Sequence, residues 1–229
     1  MKHLVFCLFI CNSLFGQHQP INFGFSITPL FSSVVLKANN SNISKVYLDQ
    51  KKDEVIGKFG FSINGLVRYK LNQKVNFQTG IGYVKNGINE KTVKLTPAVP
   101  DSTLPTYGRY SFVQHSITVP LLLQYYFSTT KNKFYLIGGV TPTFSFKSYD
   151  NYTLTYLNGN ETTSKTDVSS KVRNLNLGAA LGFGYQYKLN NKIDMFVQPN
   201  FNINLLGIYK NTDLSRYIYS YGLTIGCII

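Results

Sequence analysis

The side chains that could do chemistry are few, and their spacing forms no catalytic or metal-binding pattern. Outside the first 16 residues, the histidines are His18 and His115 and the cysteine is Cys227. A nucleophilic triad needs Ser, His and Asp side chains that meet, and a zinc site needs closely spaced His or Cys ligands. No Gly-rich phosphate loop leads into a helix, because the pattern predicts no helix. The sequence therefore predicts no enzymatic activity, no cofactor and no metal.

One group of charged residues does come together by spacing. If residues 190–192 form a tight turn, Lys188 and Asp194 face each other, and Arg68 and Lys70 lie at the same depth on another strand. Inside a barrel, these residues could form an electropositive constriction that admits small anions. They could instead form a neutralised plug, because a buried charge needs a partner. The plug is favoured, since a narrow barrel leaves little free lumen.

Basic residues also stand at segment ends next to long polar loops. Lys37, Lys85 and Arg173 are the members of this group that lie within the segments themselves. Basic groups pair well with phosphate, so these side chains are candidates for contact with lipopolysaccharide. The alternative is an ordinary solvated loop surface.

The elements that must position these groups are strands, because apolar residues alternate along the chain. In the last segment, Tyr221, Leu223 and Ile225 share one face and Gly222 and Thr224 share the other. The alternating segments are 21–37, 58–71, 74–86, 110–127, 134–147, 172–189, 193–207 and 216–229. Their connections alternate between short turns and long polar loops, which fill 38–57, 87–109 and 148–171.

Proline removes a donor from a strand ladder, so prolines inside segments predict bulges or kinks. These expected irregularities lie at Pro29, Pro120, Pro142 and Pro199.

The two faces of the segments indicate a membrane barrel and not a soluble one. A soluble lipid-binding barrel carries large apolar residues inside and charge outside. Here the face opposite the apolar one has small residues such as Gly80, Gly82, Thr141 and Thr143, which suit the inside of a narrow barrel. A Lys or Arg side chain that faces lipid at mid-depth costs about 2–4 kcal/mol in stability. The charged residues within the segments fall almost wholly on the small face, as a lipid-facing apolar side would require. Those charges are Arg68, Lys70, Lys74, Lys147, Lys188 and Asp194.

Aromatic residues on the apolar face collect at both ends of the segments. Phe134 and Tyr185 lie near short turns, Phe61 and Tyr83 lie near long loops, and aliphatic residues such as Leu181 lie between. Two aromatic girdles around an aliphatic band are typical of outer-membrane barrels, in which closure gives every strand a partner.

The first 16 residues predict an export signal. Lys2 and His3 precede an apolar stretch from Leu4 to Ile10 that is too short to cross a membrane. Cleavage after Gly16 would leave residues 17–229 as a barrel domain in the outer membrane, with both termini in the periplasm. The formal charge is +13, but an exported protein rarely meets nucleic acid, so no nucleic-acid partner is expected.

Two segments resemble a known family. Residues 116–127 (SITVPLLLQYYF) and 135–142 (YLIGGVTP) are similar to the outer-membrane β-barrel (PorT-like) family of Bacteroidota. The resemblance implies an eight-stranded OmpA-like or OmpX-like barrel. It carries no functional residue of PorT over to this chain.

The sequence thus predicts an all-β fold, an eight-stranded antiparallel up-and-down transmembrane β-barrel that acts as a monomer. Its role would be structural or in surface interaction through the long outer loops, where alternation over 152–157 predicts a hairpin beyond the membrane. Expected partners are outer-membrane lipid, lipopolysaccharide and, during insertion, the barrel-assembly machinery. The alternatives are a narrow pore for small solutes or anions, and a soluble periplasmic lipid-binding barrel.

Overall fold

The fold is a closed ring of antiparallel strands with two further strands and a helix at one end. The computed structural model describes residues 21–39, 45–96, 103–129, 132–210 and 212–229. The expected signal segment, its cleavage site and His18 lie outside the described residues. The elements are β1 (Ile21–Ala38), α1 (Lys45–Glu54), β2 (Val55–Lys70), β3 (Val75–Glu90), β4 (Val93–Lys94), β5 (Pro105–Thr118), β6 (Leu121–Tyr126), β7 (Lys133–Tyr156), β8 (Glu161–Asp167), β9 (Leu175–Lys188), β10 (Asp194–Asn204) and β11 (Leu214–Ile228).

The ring closes because the first and last strands pair with each other. Ile27 of β1 lies opposite Ile225 of β11. From this seam the order runs through β10, β9 and β7 on one side and through β2 and β3 on the other. β5 and β6 occupy one position between β3 and β7, since each pairs with both of those strands. The ring therefore has the eight predicted positions, and β4 and β8 lie outside it.

The side chains of the ring face as the two-residue period predicts. Leu181 is 57% exposed and Ile225 is 46% exposed on the outside, whereas Ser26, Thr28 and Ser32 are buried inside. Large apolar side chains therefore point away from the barrel axis, and the small polar ones line the lumen.

Aromatic side chains meet at two levels on the outside. The rings of Phe134 and Tyr185 lie 4.9 Å apart near the short turns, and those of Phe61 and Tyr83 lie 5.9 Å apart near the long loops. The two levels match the predicted girdles.

The first long loop contains a helix, and the prediction of no helix was wrong. α1 carries two ion pairs at i,i+3 spacing, Lys51–Glu54 and Lys52–Asp49. Such pairs stabilise a helix surface without an apolar stripe, and apolar periodicity was the signal that the prediction followed. No helix in the described ranges is long and apolar enough to cross a membrane.

The prolines disturb the ladder less than predicted. Pro120 lies in the break between β5 and β6. At Pro29, Pro142 and Pro199 the pairing offset is the same on both sides, so the bulges predicted there are absent. Each proline removes one backbone N–H donor, and the hydrogen-bonded residue pairs on either side keep the strands in register.

A bulge reverses the face of one predicted lumen charge. The pairing of β5 with β7 shifts between His115 and Ser116, which lie opposite Lys147 and Ser145. Ser145 is buried inside, whereas the Lys147 side chain is 44% exposed on the outer face beside His115. The prediction that Lys147 faces the lumen was wrong, because the extra residue Phe146 inverts the alternation.

Candidate functional site

The lumen is closed at two levels by apolar clusters. We call the cluster at the short-turn end the lower plug and the cluster at the long-loop end the upper plug. The lower plug consists of Leu66, Leu122, Tyr126, Tyr135, Ile137, Phe196 and Ile228. The upper plug consists of Ile88, Phe112, Val168, Val172, Ile208 and Ile218. No member is more than 8% exposed, so each plug fills its level of the lumen.

Arg68 fixes the lower plug from within. The residue is 2% exposed, and its guanidinium donates to Gln78 Oε1 at 3.0 and 3.3 Å, to the Tyr126 hydroxyl at 3.1 Å and to Gln186 Oε1 at 2.9 Å. Its Cζ lies 5.7 Å from the centroid of the Phe196 ring. The buried charge is therefore satisfied by amide, hydroxyl and ring partners and not by a direct carboxylate contact.

The structure brings three of the four predicted lumen charges together. Arg68, Lys70 and Asp194 line a vestibule of about 420 Å³ beside the lower plug. Asp194 accepts a hydrogen bond of 2.6 Å from Gln186 Nε2, so Gln186 links this carboxylate to Arg68. Lys188 lies opposite Asp194 in the β9–β10 ladder, but among the described residues neither Lys70 nor Lys188 forms an ion pair with Asp194. The lower plug is therefore built around Arg68, and the Gln186 amide links the Arg68 guanidinium to the Asp194 carboxylate by hydrogen bonds.

Glycines make room for the bulky members of the lower plug. The Tyr135 ring lies against Gly184 and the Phe196 ring lies against Gly226, so closely that a Cβ on either glycine would overlap the ring. The Tyr135 hydroxyl also donates to Gln198 Oε1 at 3.1 Å. The small lumen face therefore provides slots into which a few large side chains pack.

Between the plugs lies an uncharged chamber of about 140 Å³, lined by both polar and apolar side chains. Its lining residues include no charged side chain, and their hydroxyl groups bond across the lumen, as Thr28 and Thr224 do at 2.8 Å. Asn86 Oδ1, at the chamber, and both amide atoms of Gln124 are buried without a partner in the described part of the chain. A cavity of this size with unpaired polar atoms has room for ordered water, and its lining offers no charge to an ion.

A loop segment after β8 supplies part of the upper plug. The Val168 N–H donates to the Ser148 carbonyl at 3.0 Å, and the Val172 N–H donates to the Val168 carbonyl at 3.2 Å. Val172 also forms a bridge with Tyr209, which lies in the loop between β10 and β11. These bonds fold two loops into the mouth of the barrel.

A polar cluster packs against the upper plug. Tyr110 donates to Asp150 Oδ1 at 2.6 Å, and its hydroxyl lies 3.2 Å from that of Tyr209. Burial raises the pKa of Tyr209 to about 12, so this hydroxyl keeps its proton at neutral pH. Arg216 pairs with Glu90 at 3.5 Å and lies 5.9 Å from the Tyr110 ring. The long-loop end of the lumen is thus closed by apolar packing and by a bonded polar layer.

Two ring strands, β5 and β7, continue past the ring and, with β4 and β8, form an extension that we call the outer sheet. β7 pairs with β9 as far as Phe144 and then pairs with β8 from Tyr149 to Thr155. β5 accompanies β7 out to Pro105, and β4 pairs with β5. The order is β4–β5–β7–β8, and every residue of β8 is exposed. The hairpin predicted from residues 152–157 is present.

The three basic residues predicted to contact lipopolysaccharide lie apart. Lys37 is opposite Ser215 in the β1–β11 ladder, Lys85 is opposite His115 in the β3–β5 ladder, and Arg173 lies just before β9. Because β1, β3 and β9 are not neighbours in the ring, these residues do not form one site.

Sequence reasoning missed the residues that close the lumen. Tyr126, Tyr135 and Phe196 are large side chains on the small face, and this exception to the pattern was the available signal. Val168 lies in a loop without periodicity, and Val172 is the first residue of the predicted segment 172–189 but precedes β9, so no local signal placed either one in the barrel mouth.

The described residues contain no group of three His, Cys, Asp or Glu side chains that could hold a metal ion. His115 packs against aromatic rings, and its Nδ1 lies 2.6 Å from the Tyr83 hydroxyl.

The chain matches one protein family, described as "Outer membrane protein beta-barrel domain", over residues 15–210. Among solved structures, Neisserial surface protein A is 14% identical, with a TM-score of 0.43 over 92% of this chain and 99% of that one. OprG from Pseudomonas aeruginosa is 17% identical, with a TM-score of 0.41 over 91% of this chain and 94% of that one. Ail, the attachment invasion locus protein of Yersinia pestis, was solved with the heparin analogue sucrose octasulfate. It is 11% identical, with a TM-score of 0.34 over 91% of this chain and 99% of that one. Comparison with curated proteins gives no match. Because the family match covers most of the sequence and the fold is a closed ring of eight strand positions, the chain belongs to the outer membrane protein β-barrel domain family.

Proposed function

We propose that this outer-membrane barrel is a closed, non-catalytic scaffold whose outer sheet binds partners at the cell surface. The observation that carries the proposal is the outer sheet. β7 runs for 24 residues, although a strand needs only about 9–11 residues to cross a bilayer. β8 forms an edge of this sheet that no described strand covers, and an uncovered edge presents backbone donors and acceptors to another chain.

The two plugs support a closed lumen over the alternative of a narrow pore. A solute would have to displace the lower plug, pass a chamber without charge and then displace the upper plug. The soluble lipid-binding alternative is disfavoured because Leu181 and Ile225 face outward and bulky side chains fill both ends of the lumen.

Several finer assignments belong to the same proposal. Residues 1–16 act as a cleaved signal, and residues 17–229 form a monomeric barrel that the barrel-assembly machinery inserts. The short turns lie in the periplasm and the long loops lie outside the cell. Membership of the PorT-like group of Bacteroidota rests on residues 116–127 and 135–142.

The adhesive role is tested by removing the outer hairpin while keeping the barrel. Asn151 and Lys165 are paired, so replacing residues 152–164 by Asn-Gly joins them through a two-residue turn. Cells that display the full chain should bind at least one feature of an array of immobilised glycans and extracellular proteins, and cells with the shortened variant should lose that binding.

A matched control replaces only the tip, residues 157–160, by glycine and serine and should bind as the parent does. Equal binding profiles for the parent and the shortened chain, at equal surface levels, would refute the role assigned to the outer sheet.

A further inference from the structure

Three basic side chains share the outer face of the barrel at the long-loop end. Lys85 of β3 pairs with His115 of β5, which pairs with Lys147 of β7. Neighbouring strands lie about 4.8 Å apart, so these three residues lie side by side in one row across the outer face. A fourth basic residue, Lys165, comes from β8 in the outer sheet.

Aromatic rings connect three members of this cluster, His115, Lys147 and Lys165. The His115 ring lies 6.4 Å from the Phe146 ring and 6.0 Å from the Tyr149 ring. Lys165 Nζ lies 3.7 Å from the centroid of Tyr149 and Lys147 Nζ lies 5.7 Å from it. Residues from three strands, β5, β7 and β8, therefore converge on the Tyr149 ring.

The charges of this cluster are not balanced. Lys147 is paired with Asp167 at 2.7 Å. Lys85 and Lys165 form no ion pair with any acidic residue in the described ranges, and Tyr83 occupies only Nδ1 of His115. Two lysine ammonium groups and the second imidazole nitrogen are available to an anion, which they would bind by charge-assisted hydrogen bonds.

The surroundings indicate what kind of anion fits. On the lipid-facing surface nearby, Phe61 of β2 is 38% exposed, Ile81 of β3 is 63% exposed and Ile117 of β5 is 39% exposed, and Phe61 lies directly opposite Lys85 in the β2–β3 ladder. A ligand that meets the cations therefore also lies against apolar side chains that face hydrocarbon. This combination suits an amphiphile with a phosphate headgroup better than a free anion or an acidic protein.

We propose that Lys85, His115 and Lys165 bind a phosphate group of an outer-leaflet glycolipid, whose acyl chains lie along Phe61, Ile81 and Ile117. The site rests on the proposed orientation of the long loops and is independent of the adhesive role. It differs from the set predicted from sequence, because Lys37 and Arg173 lie on other parts of the ring.

The test measures binding of diphosphorylated lipid A to the full chain in detergent micelles by native mass spectrometry. The Lys85→Gln, Lys165→Gln double variant should bind about tenfold more weakly, since two charge-assisted contacts are lost. The matched control is the Lys37→Gln, Arg173→Gln variant, which removes equal charge elsewhere on the rim and should retain the parent affinity. Dephosphorylated lipid A should bind the parent and the double variant equally.

Two further arms make the outcome decisive. Inorganic phosphate should not displace the lipid, and complete displacement would point to a free-phosphate site and overturn the assignment. Equal losses of affinity for the two charge-removal variants would also overturn it, because the total charge of the rim would then explain binding.

The Lys85→Arg, Lys165→Arg variant should bind with the parent affinity, because it keeps both charges. Heat-dependent gel mobility checks that this variant has folded. Protease cleavage of intact cells within residues 157–160 tests the orientation separately.

Discussion

Arg68 carries a positive charge into the lumen without touching a carboxylate. Burying a guanidinium is costly unless its donors are used, and here Gln78, Tyr126 and Gln186 accept from it. Gln186 uses its oxygen for Arg68 and its nitrogen for Asp194, so one amide connects the two charges. Arg68 and Asp194 therefore stabilise the lower plug together through Gln186. Replacing either residue should change how much the other contributes to the free energy of unfolding.

Replacing Arg68 by methionine should lower the free energy of unfolding by about 2–3 kcal/mol, because three buried acceptors lose their donor. Urea unfolding of the barrel in lipid vesicles measures this loss. Asp194→Asn should lower the free energy of unfolding by about 1 kcal/mol less in the Arg68→Met background than in the parent. In that background the Asp194 carboxylate no longer balances a buried cation.

Lys70→Met is the control for this cycle. Lys70 lies two residues away on the same strand but is exposed, so its replacement should change stability by less than about 0.5 kcal/mol. Similar losses for Arg68→Met and Lys70→Met would contradict the role given to the buried contacts.

At the scale of elements, β7 belongs to two structures. Up to Phe144 it is a ring strand between its neighbours, and from Tyr149 onward it is a central strand of the outer sheet. The bulge near Phe146 lies between these parts and turns Lys147 outward. A bulge both re-aims side chains and bends a strand, which suits the point where the chain leaves the membrane.

Leu181→Arg tests whether the apolar face of β9 lies in hydrocarbon. A cation at mid-depth should cost about 2–4 kcal/mol and reduce the fraction of folded barrel, measured by heat-dependent gel mobility after refolding into vesicles. Leu189→Arg is the control, because Leu189 is 53% exposed just past the end of β9, where a charge costs about 0–1 kcal/mol. Assembly of the Leu181→Arg variant at the parent level would mean that residue 181 does not face lipid.

At the scale of the whole molecule, the lumen has two closures in series. The lower plug depends on rings packed against glycines, and the upper plug depends on loops folded into the mouth. Because current must pass both levels, opening either plug alone leaves the other as a barrier.

The parent should therefore show no steady unitary current in planar bilayers. The Tyr135→Ala, Phe196→Ala variant opens the lower plug and the Phe112→Ala, Ile208→Ala variant opens the upper plug, and neither should conduct alone. The fourfold combination should conduct, provided gel mobility shows that it is folded. Steady current through the parent would refute the closed lumen, and current through one double variant would place the barrier in a single plug.

The ring could be predicted because strand alternation records which side of each strand faces lipid. The eight positions and the outward direction of Leu181 and Ile225 follow from that local pattern. The helix α1 escaped prediction because charge pairs stabilise it, and Lys147 was misplaced because one extra residue in a bulge inverts the faces beyond it. Three of the four predicted lumen charges line one vestibule, but the amide that joins two of them was not predicted.

The sequence by itself determined that this chain is a β-barrel with an apolar exterior and an interior lined by small polar residues, because both properties follow from the alternation of neighbouring residues along each strand. Only the tertiary structure decided that the interior is closed and that Lys85, His115 and Lys165 lie on one part of the outer face. The side chains responsible come from strands and loops far apart in the chain, and it is closure of the ring and pairing of the outer sheet that place them near one another.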